Sequence, residues 1–368
     1  MTAPEPPYAV LAELTHRCPL ACPYCSNPLA LDPRDRELDT ATWKRVLDEA
    51  AEAGALQIHF SGGEPCARTD LEELVAHAAR AGLYTNLITS AVTLDRARLD
   101  RLKAAGLQHV QISFQDTHAD GNDRVAGFPR AFERKRRAAA EVVAAGLALT
   151  VNAVVHRHNI GHVDAFFDLA LDLGAGRIEI ANVQYYGWAL VNRAALMPTH
   201  DQLVEMDAAI RARLPGLKGR LVVDYVVPDY YARRPKACMG GWGRRFLNVT
   251  PTGKVLPCHA AETIPELVFE TVHDRSLGAI WRDSPAFERF RGTAWMPSPC
   301  RECDQREVDW GGCRCQALAI SGNAAATDPV CELSADHAAV GAIAARDSAA
   351  GDQPFTYRQR APSHEPVT

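Results

Sequence analysis

Short apolar runs alternate with amphipathic stretches from Tyr8 to about Pro228. The runs Tyr8–Leu14, Leu56–Phe60, Leu83–Thr89, His109–Phe114, Leu149–Val155 and Arg177–Val183 are too short for helices and rich in strand formers, so the pattern predicts six strands. Helical periodicity fills the stretches between them. Gly54, Gly82, Gly106, Gly146 and Gly174 each stand after a helical pattern and before an apolar run, where a left-handed residue closes a helix. Thr69 with Glu72, and Thr199 with Gln202, fit capping boxes, and Thr40 and Asn159 fit simple N-caps.

Strands alternating with helices predict a parallel sheet with right-handed crossovers. The expected fold class is α/β: a partial (β/α)6 barrel over residues 8–225 with its chemistry at the strand ends. After Pro228 the helical pattern thins and Gly, Pro and Cys become frequent. Residues 226–344 are therefore expected to form a small cysteine-rich domain organised by metal. Residues 1–7 and 345–368 are expected to be mobile ends.

The chain has 368 residues, enough for two domains, and 47% of them are hydrophobic, enough for a sizeable core. A net charge of −5 argues against nucleic acid as a partner. No apolar run is long enough to cross a bilayer. The opening Met-Thr-Ala-Pro-Glu-Pro-Pro carries neither the basic nor the apolar region of a secretory signal. Eleven cysteines, an odd number, fit metal or redox chemistry better than a disulfide framework, and the expected compartment is the cytoplasm.

Three cysteines follow the first apolar run, in His16-Arg17-Cys18-Pro19-Leu20-Ala21-Cys22-Pro23-Tyr24-Cys25. A four-iron cluster normally takes four thiolates, so a loop offering three leaves one iron open to a small molecule. A zinc knuckle would need His16 as a fourth ligand, two residues from Cys18, which strains a tetrahedral site. Tyr24 supplies a ring beside a bound ligand. The next strand ends in Ser61-Gly62-Gly63-Glu64-Pro65. Its two glycines permit close backbone approach, and the Glu64 carboxylate can accept from an ammonium group.

Together, the three-cysteine loop and the Gly-Gly-Glu-Pro turn resemble the radical S-adenosylmethionine (SAM) superfamily. The resemblance implies a [4Fe-4S] cluster on Cys18, Cys22 and Cys25 whose open iron chelates the methionine end of SAM. It implies reductive cleavage of SAM to a 5′-deoxyadenosyl radical. Gly62, Gly63 and Glu64 match the segment that holds the methionine amino end. Ser90, Ser113 and Gln115, at the ends of the third and fourth predicted strands, are candidate cofactor contacts.

Seven further cysteines run from Cys238 to Cys331. Cys238 and Cys258 are followed by Cys300-x2-Cys303-x5-Asp309-x3-Cys313-x1-Cys315 and then Cys331. Two zinc sites would fit such a set. The order resembles the auxiliary-cluster (SPASM) domain of peptide-modifying radical enzymes, in which a cysteine stands where this chain has Asp309. Seven cysteines and Asp309 make eight ligands, enough for two auxiliary iron–sulfur clusters. Family-like pairing gives Cys238, Cys258, Cys313 and Cys315 to one, and Cys300, Cys303, Asp309 and Cys331 to the other. Cys66 is left over and reads as a small buried hydrophobe.

Arg17 to Pro28, Asn182 to Trp188 and Met239 to Glu262 closely resemble the PqqA peptide cyclase (PqqE) family of pyrroloquinoline quinone biosynthesis. That resemblance implies a carbon–carbon cross-link between Glu and Tyr side chains of the precursor peptide PqqA. It also implies the chaperone PqqD as a partner and an electron donor such as flavodoxin or ferredoxin. Another peptide modifier of the same architecture (a thioether or sulfatase maturase) and a non-catalytic metal scaffold are the rivals. Asn182, Gln184 and Tyr185 are expected at the open end of the barrel. Tyr185, His259 and Asp309 are the polar candidates for a base in the coupling step. The basic stretch Arg130 to Arg137 is expected to be a solvated helix face, with an acidic-peptide dock as the sharper option.

Overall fold

The computed structural model describes residues 4–226 and 228–358. All six predicted strands form: β1 (Ala9–Glu13), β2 (Gln57–Ser61), β3 (Tyr84–Thr89), β4 (His109–Phe114), β5 (Ala148–Val155) and β6 (Arg177–Asn182). Each of the five junction glycines takes a positive φ, from 71° at Gly174 to 104° at Gly106.

The sheet is larger than the sequence suggested. β7 (Val222–Tyr225) extends it beyond β6, and on the opposite edge β8 (Phe246–Val249) pairs parallel with β1. β9 (Val255–Leu256) returns antiparallel to β8. The order is β7-β6-β5-β4-β3-β2-β1-β8-β9, an open sheet that does not close into a barrel. β8 and β9 come from the cysteine-rich segment, so that segment is hydrogen-bonded into the same sheet through Ala9–Ala12. Helices pack over the sheet, and Trp43, Phe60, Phe114, Phe166 and Phe167 are fully buried in the core.

Three helix starts differ from the sequence reading. The first helix, Thr40–Glu52, is capped by Asp39, whose carboxylate accepts from Thr42 N at 2.7 Å, and not by Thr40. Thr69 makes no box, because Asp70 takes the N-cap position and its carboxylate is already drawn to Arg68 and Thr40. Asn159 caps only a short 3-10 turn, its side chain being turned to Gln115 O, Val154 O and His156 N. The box at Thr199 and Gln202 is present at the helix His200–Leu217.

The expected mobile ends are tied down wherever they are described. Trp281 Nε1 donates to Glu5 O at 2.9 Å. The last helix runs from His337 to Ser348, and residues 356–358 then meet Asn192, Arg124 and the backbone of Cys18. Thr356 N and O both bond the Asn192 amide, and Phe355 packs edge-on against His158 at 5.1 Å. Residues 359–368, the rest of that predicted tail, lie outside the described residues.

Candidate functional site

β1 and β2 run in register, with Glu13 opposite Ser61. The loops that follow them therefore leave the sheet side by side. Gly63 N donates to Thr15 O at 2.6 Å and Glu64 N to Arg17 O at 2.7 Å, so the cysteine loop rests on the β2 turn. A Cβ on Gly62 would lie 2.4 Å from Thr15 O, and one on Gly63 2.5 Å from Arg17 O. What needs these glycines at this level is the neighbouring loop backbone.

Glu64 is almost completely buried. One carboxylate oxygen accepts from Cys66 N at 3.0 Å and Thr89 Oγ1 at 2.7 Å, and the other from Ser90 N at 2.9 Å and Ser90 Oγ. Four donors fill its acceptor capacity. In this structure Glu64 braces the ends of β2 and β3 against each other, where the sequence suggested an ammonium partner.

The three loop thiols are free of disulfides and partly enclosed. Burial raises all three. Cys18 is raised further by the Glu64, Cys25 and Cys22 charges, and Cys22 is pushed up to about 12. Thiols in such a setting stay neutral on their own and ionise when a cation holds them, which is compatible with an iron–sulfur core. His16 does not join them through Nδ1, which accepts Asp32 N at 2.9 Å. Tyr24 lies among the loop residues with its ring 5.7 Å from His156, and burial raises its phenol.

Lys135 comes from the stretch read as a solvated basic face. Arg134, Arg136 and Arg137 are exposed, but Lys135 is fully buried. Its ammonium donates to Ser113 O at 2.8 Å and to Gln115 Oε1, and burial lowers it to about 8. Ser113 and Gln115 thus carry a cation whose field reaches Cys22 and Cys18. The helical period could have shown this, since Lys135 shares a face with Phe132, Ala138, Ala139 and Val142, all buried.

The remaining cysteines fall into two groups. Cys238 hydrogen-bonds Cys258 and Cys313, and Cys315 bonds the same two. Those bonds hold Cys238 well below the usual thiol range and push Cys258 and Cys313 up. Cys300, Cys303, Asp309 and Cys331 line one small pocket with Asp328 and Arg306. Asp309 ends the short helix Arg306–Asp309 and accepts Gly311 N at 2.9 Å. Buried Arg314 donates to Ala324 O at 3.0 Å and Ala326 O at 2.7 Å, and its charge acts on Cys313, Cys238 and Cys300. Cys66 joins neither group and lies buried beside Thr89.

Between the cysteine loop and Cys258 lies a cavity of about 470 Å³. Glu13, His16, Ser26, Tyr186, His259 and Glu262 are among the residues that line it. Tyr186 reaches this cavity from the stretch after β6, and Tyr185 does not. Tyr185 packs edge-on against Tyr230 at 4.9 Å in a separate small pocket, with Asn182, while Gln184 is exposed. The sequence reading missed Glu13. The available signal was a carboxylate ending an otherwise apolar run.

Residues 12–170 match the Radical SAM superfamily, and residues 238–304 match an iron–sulfur cluster-binding domain, SPASM. The PqqA peptide cyclase of Gluconobacter oxydans is 60% identical over 337 residues, 92% of this chain and 94% of that protein. The PqqA peptide cyclase of a Methylobacterium species is 59% identical over 363 residues, covering 97% of this chain and 96% of that protein. Among solved structures, Streptococcus suis SuiB bound to S-adenosylmethionine superposes with a TM-score of 0.75 at 17% identity, covering 89% of this chain and 78% of that one. The enzyme anSMEcpe with bound AdoMet gives 0.65 at 14% identity, covering 93% and 92%. At those identities the likeness is one of fold. The long, near-complete match at high identity decides the family: the chain belongs to the PqqA peptide cyclases of the radical SAM superfamily.

Proposed function

We propose that this chain cleaves S-adenosylmethionine reductively and joins Glu and Tyr side chains of the peptide PqqA through a carbon–carbon bond. Cys18, Cys22 and Cys25 hold a [4Fe-4S] cluster in this reading. When bound, that cluster supplies the electron that opens the sulfonium and releases a 5′-deoxyadenosyl radical. The chain's own part is to place the loop. Gly62 and Gly63 let Thr15–Arg17 settle on the β2 turn, and Glu64 locks that turn to Ser90. Tyr24, Ser90, Ser113 and Gln115 surround the place where the cofactor would lie.

Two auxiliary iron–sulfur clusters are held by Cys238, Cys258, Cys313 and Cys315, and by Cys300, Cys303, Asp309 and Cys331. Arg314, between the groups, offsets their charge. PqqD presents the peptide, a flavodoxin or ferredoxin donates electrons, and the reaction runs in the cytoplasm.

The observation that carries this reading is the open cavity of about 470 Å³ lined by His16 and Ser26, which flank the cysteine loop, and by His259, next to Cys258, with room for side chains of a peptide. Anaerobic turnover with PqqA, PqqD and a reductant tests it. The expected product is PqqA lighter by two hydrogens with Glu joined to Tyr. A sulfur-linked peptide or a formylglycine would overturn the assignment. So would a Cys18→Ala variant that still releases 5′-deoxyadenosine at the normal rate.

A further inference from the structure

We propose that the Glu13 carboxylate takes the tyrosine ring proton during carbon–carbon bond formation, and that His259 holds it in place. The inference rests on the cyclase reading and adds a residue role to it.

The chemistry demands such a group. The 5′-deoxyadenosyl radical removes a hydrogen atom from a glutamate side-chain carbon of the peptide. That carbon adds to the tyrosine ring, the new bond forms, and the ring is left as a cyclohexadienyl radical with a tetrahedral C–H. Aromaticity returns when this C–H bond breaks, releasing one proton and one electron. The electron needs a one-electron oxidant, which an oxidised iron–sulfur centre held by the cysteine-rich segment would supply. The proton needs an acceptor on the cavity wall. Together the two steps remove two hydrogens from the peptide.

Geometry narrows the choice. Tyr185 lies in another pocket against Tyr230. Asp309 belongs to the pocket of Cys300, Cys303 and Cys331. Glu262 lines the cavity but is engaged by Lys254 Nζ. Glu13 lines it at the very strand end that feeds the cysteine loop, with an oxygen 2.6 Å from His259 Nδ1. Burial alone would raise this carboxylate, but the hydrogen bond and charge of His259, with the charge of His16 and a hydrogen bond from Asn248, outweigh it and keep Glu13 below its usual range. It is therefore ionised at neutral pH. A weak base suffices, because losing this proton restores an aromatic ring. Charge and position matter more than basicity.

The test uses the full chain with reconstituted clusters, PqqA and PqqD. One peptide carries deuterium on the glutamate side chain, a second on the tyrosine ring. For Glu13→Gln, cross-linked peptide per 5′-deoxyadenosine should fall by about 10²-fold, the usual scale for a positioned base. Deuterium from the glutamate should still reach 5′-deoxyadenosine. Ring deuteration should slow cross-linking in this variant and leave the parent enzyme unaffected. Glu13→Asp should recover part of the yield, and His259→Gln should show a milder form of the same uncoupling. Affinity for labelled PqqA without reductant should match the parent. A Glu13→Gln enzyme that cross-links at the parent ratio overturns the assignment. So does one that loses deuterium transfer together with cross-linking, since Glu13 would then serve the fold or the hydrogen-abstraction step. A parent enzyme that releases no cross-linked peptide would instead sink the cyclase reading.

Discussion

Arg358 donates a guanidinium N–H to Cys18 O at 3.2 Å and, from the same nitrogen, to Leu20 O at 2.6 Å. The end of the described chain thus clamps the backbone of its first cysteine loop. Arg358→Ala should remove two charge-assisted bonds and cost about 1–3 kcal/mol of local stability. The expected outcome is a lower iron content after anaerobic reconstitution with the fold intact by circular dichroism. Deleting residues 349–358 should do more, because Thr356 and Tyr357 also bond Asn192 and Arg124.

Gly63→Ala is a sharper test of loop seating. The added carbon would sit 2.5 Å from Arg17 O and 2.6 Å from His16 O, both backbone atoms. Relief means displacing the cysteine loop, at about 1–3 kcal/mol for an overpacked site. Cluster incorporation and SAM binding should drop together. Normal SAM affinity, measured by equilibrium dialysis, would contradict the seating described here.

Cysteine replacements should sort by location. Cys315→Ala removes one of the thiols that meet Cys258 and Cys313 and should lower iron per chain. Cys66→Ala removes a buried thiol beside Thr89 and should leave iron content and the electron paramagnetic resonance spectrum unchanged, at a stability cost of about 1 kcal/mol. Equal iron loss in both variants would refute the grouping.

His59 on β2 is half-buried, with Asn86 Nδ2 2.8 Å from its Nδ1, and the loss of water around the ring lowers it from 6.5 to about 4. Between those values the unfolded chain takes up a proton that the folded chain refuses. Stability should therefore fall as pH drops from 6.5 toward 4, at a limiting slope of about 1.4 kcal/mol per pH unit for this group. Urea unfolding of His59→Gln should show a shallower acid loss than the parent.

The six strands were legible because period and length agree, and each is closed by turn chemistry. Gly54 through Gly174 mark those closures within a few residues of each strand. β7 was overlooked although Val222, Val223 and Tyr225 are strand formers; its four residues are alternately exposed and half-exposed, so it adds an edge strand without adding to the core. The pairing of β8 with β1 was not legible. That contact joins Ala9 to Phe246, and nothing local encodes it. The cysteine loop and the Gly62–Glu64 turn stood out as motifs, yet the reason for the glycines, Thr15 and Arg17 lying directly above them, appears only once β1 and β2 are paired. Lys135 was hidden inside a run of arginines, and Glu13 inside a strand.

The return of the chain to Cys18 also orders events in time. A ribosome delivers the thiol loop 340 residues before Arg358. A nascent polypeptide therefore carries its three thiols unclamped until that arginine has emerged. Secure seating of the loop waits for a residue made long after it.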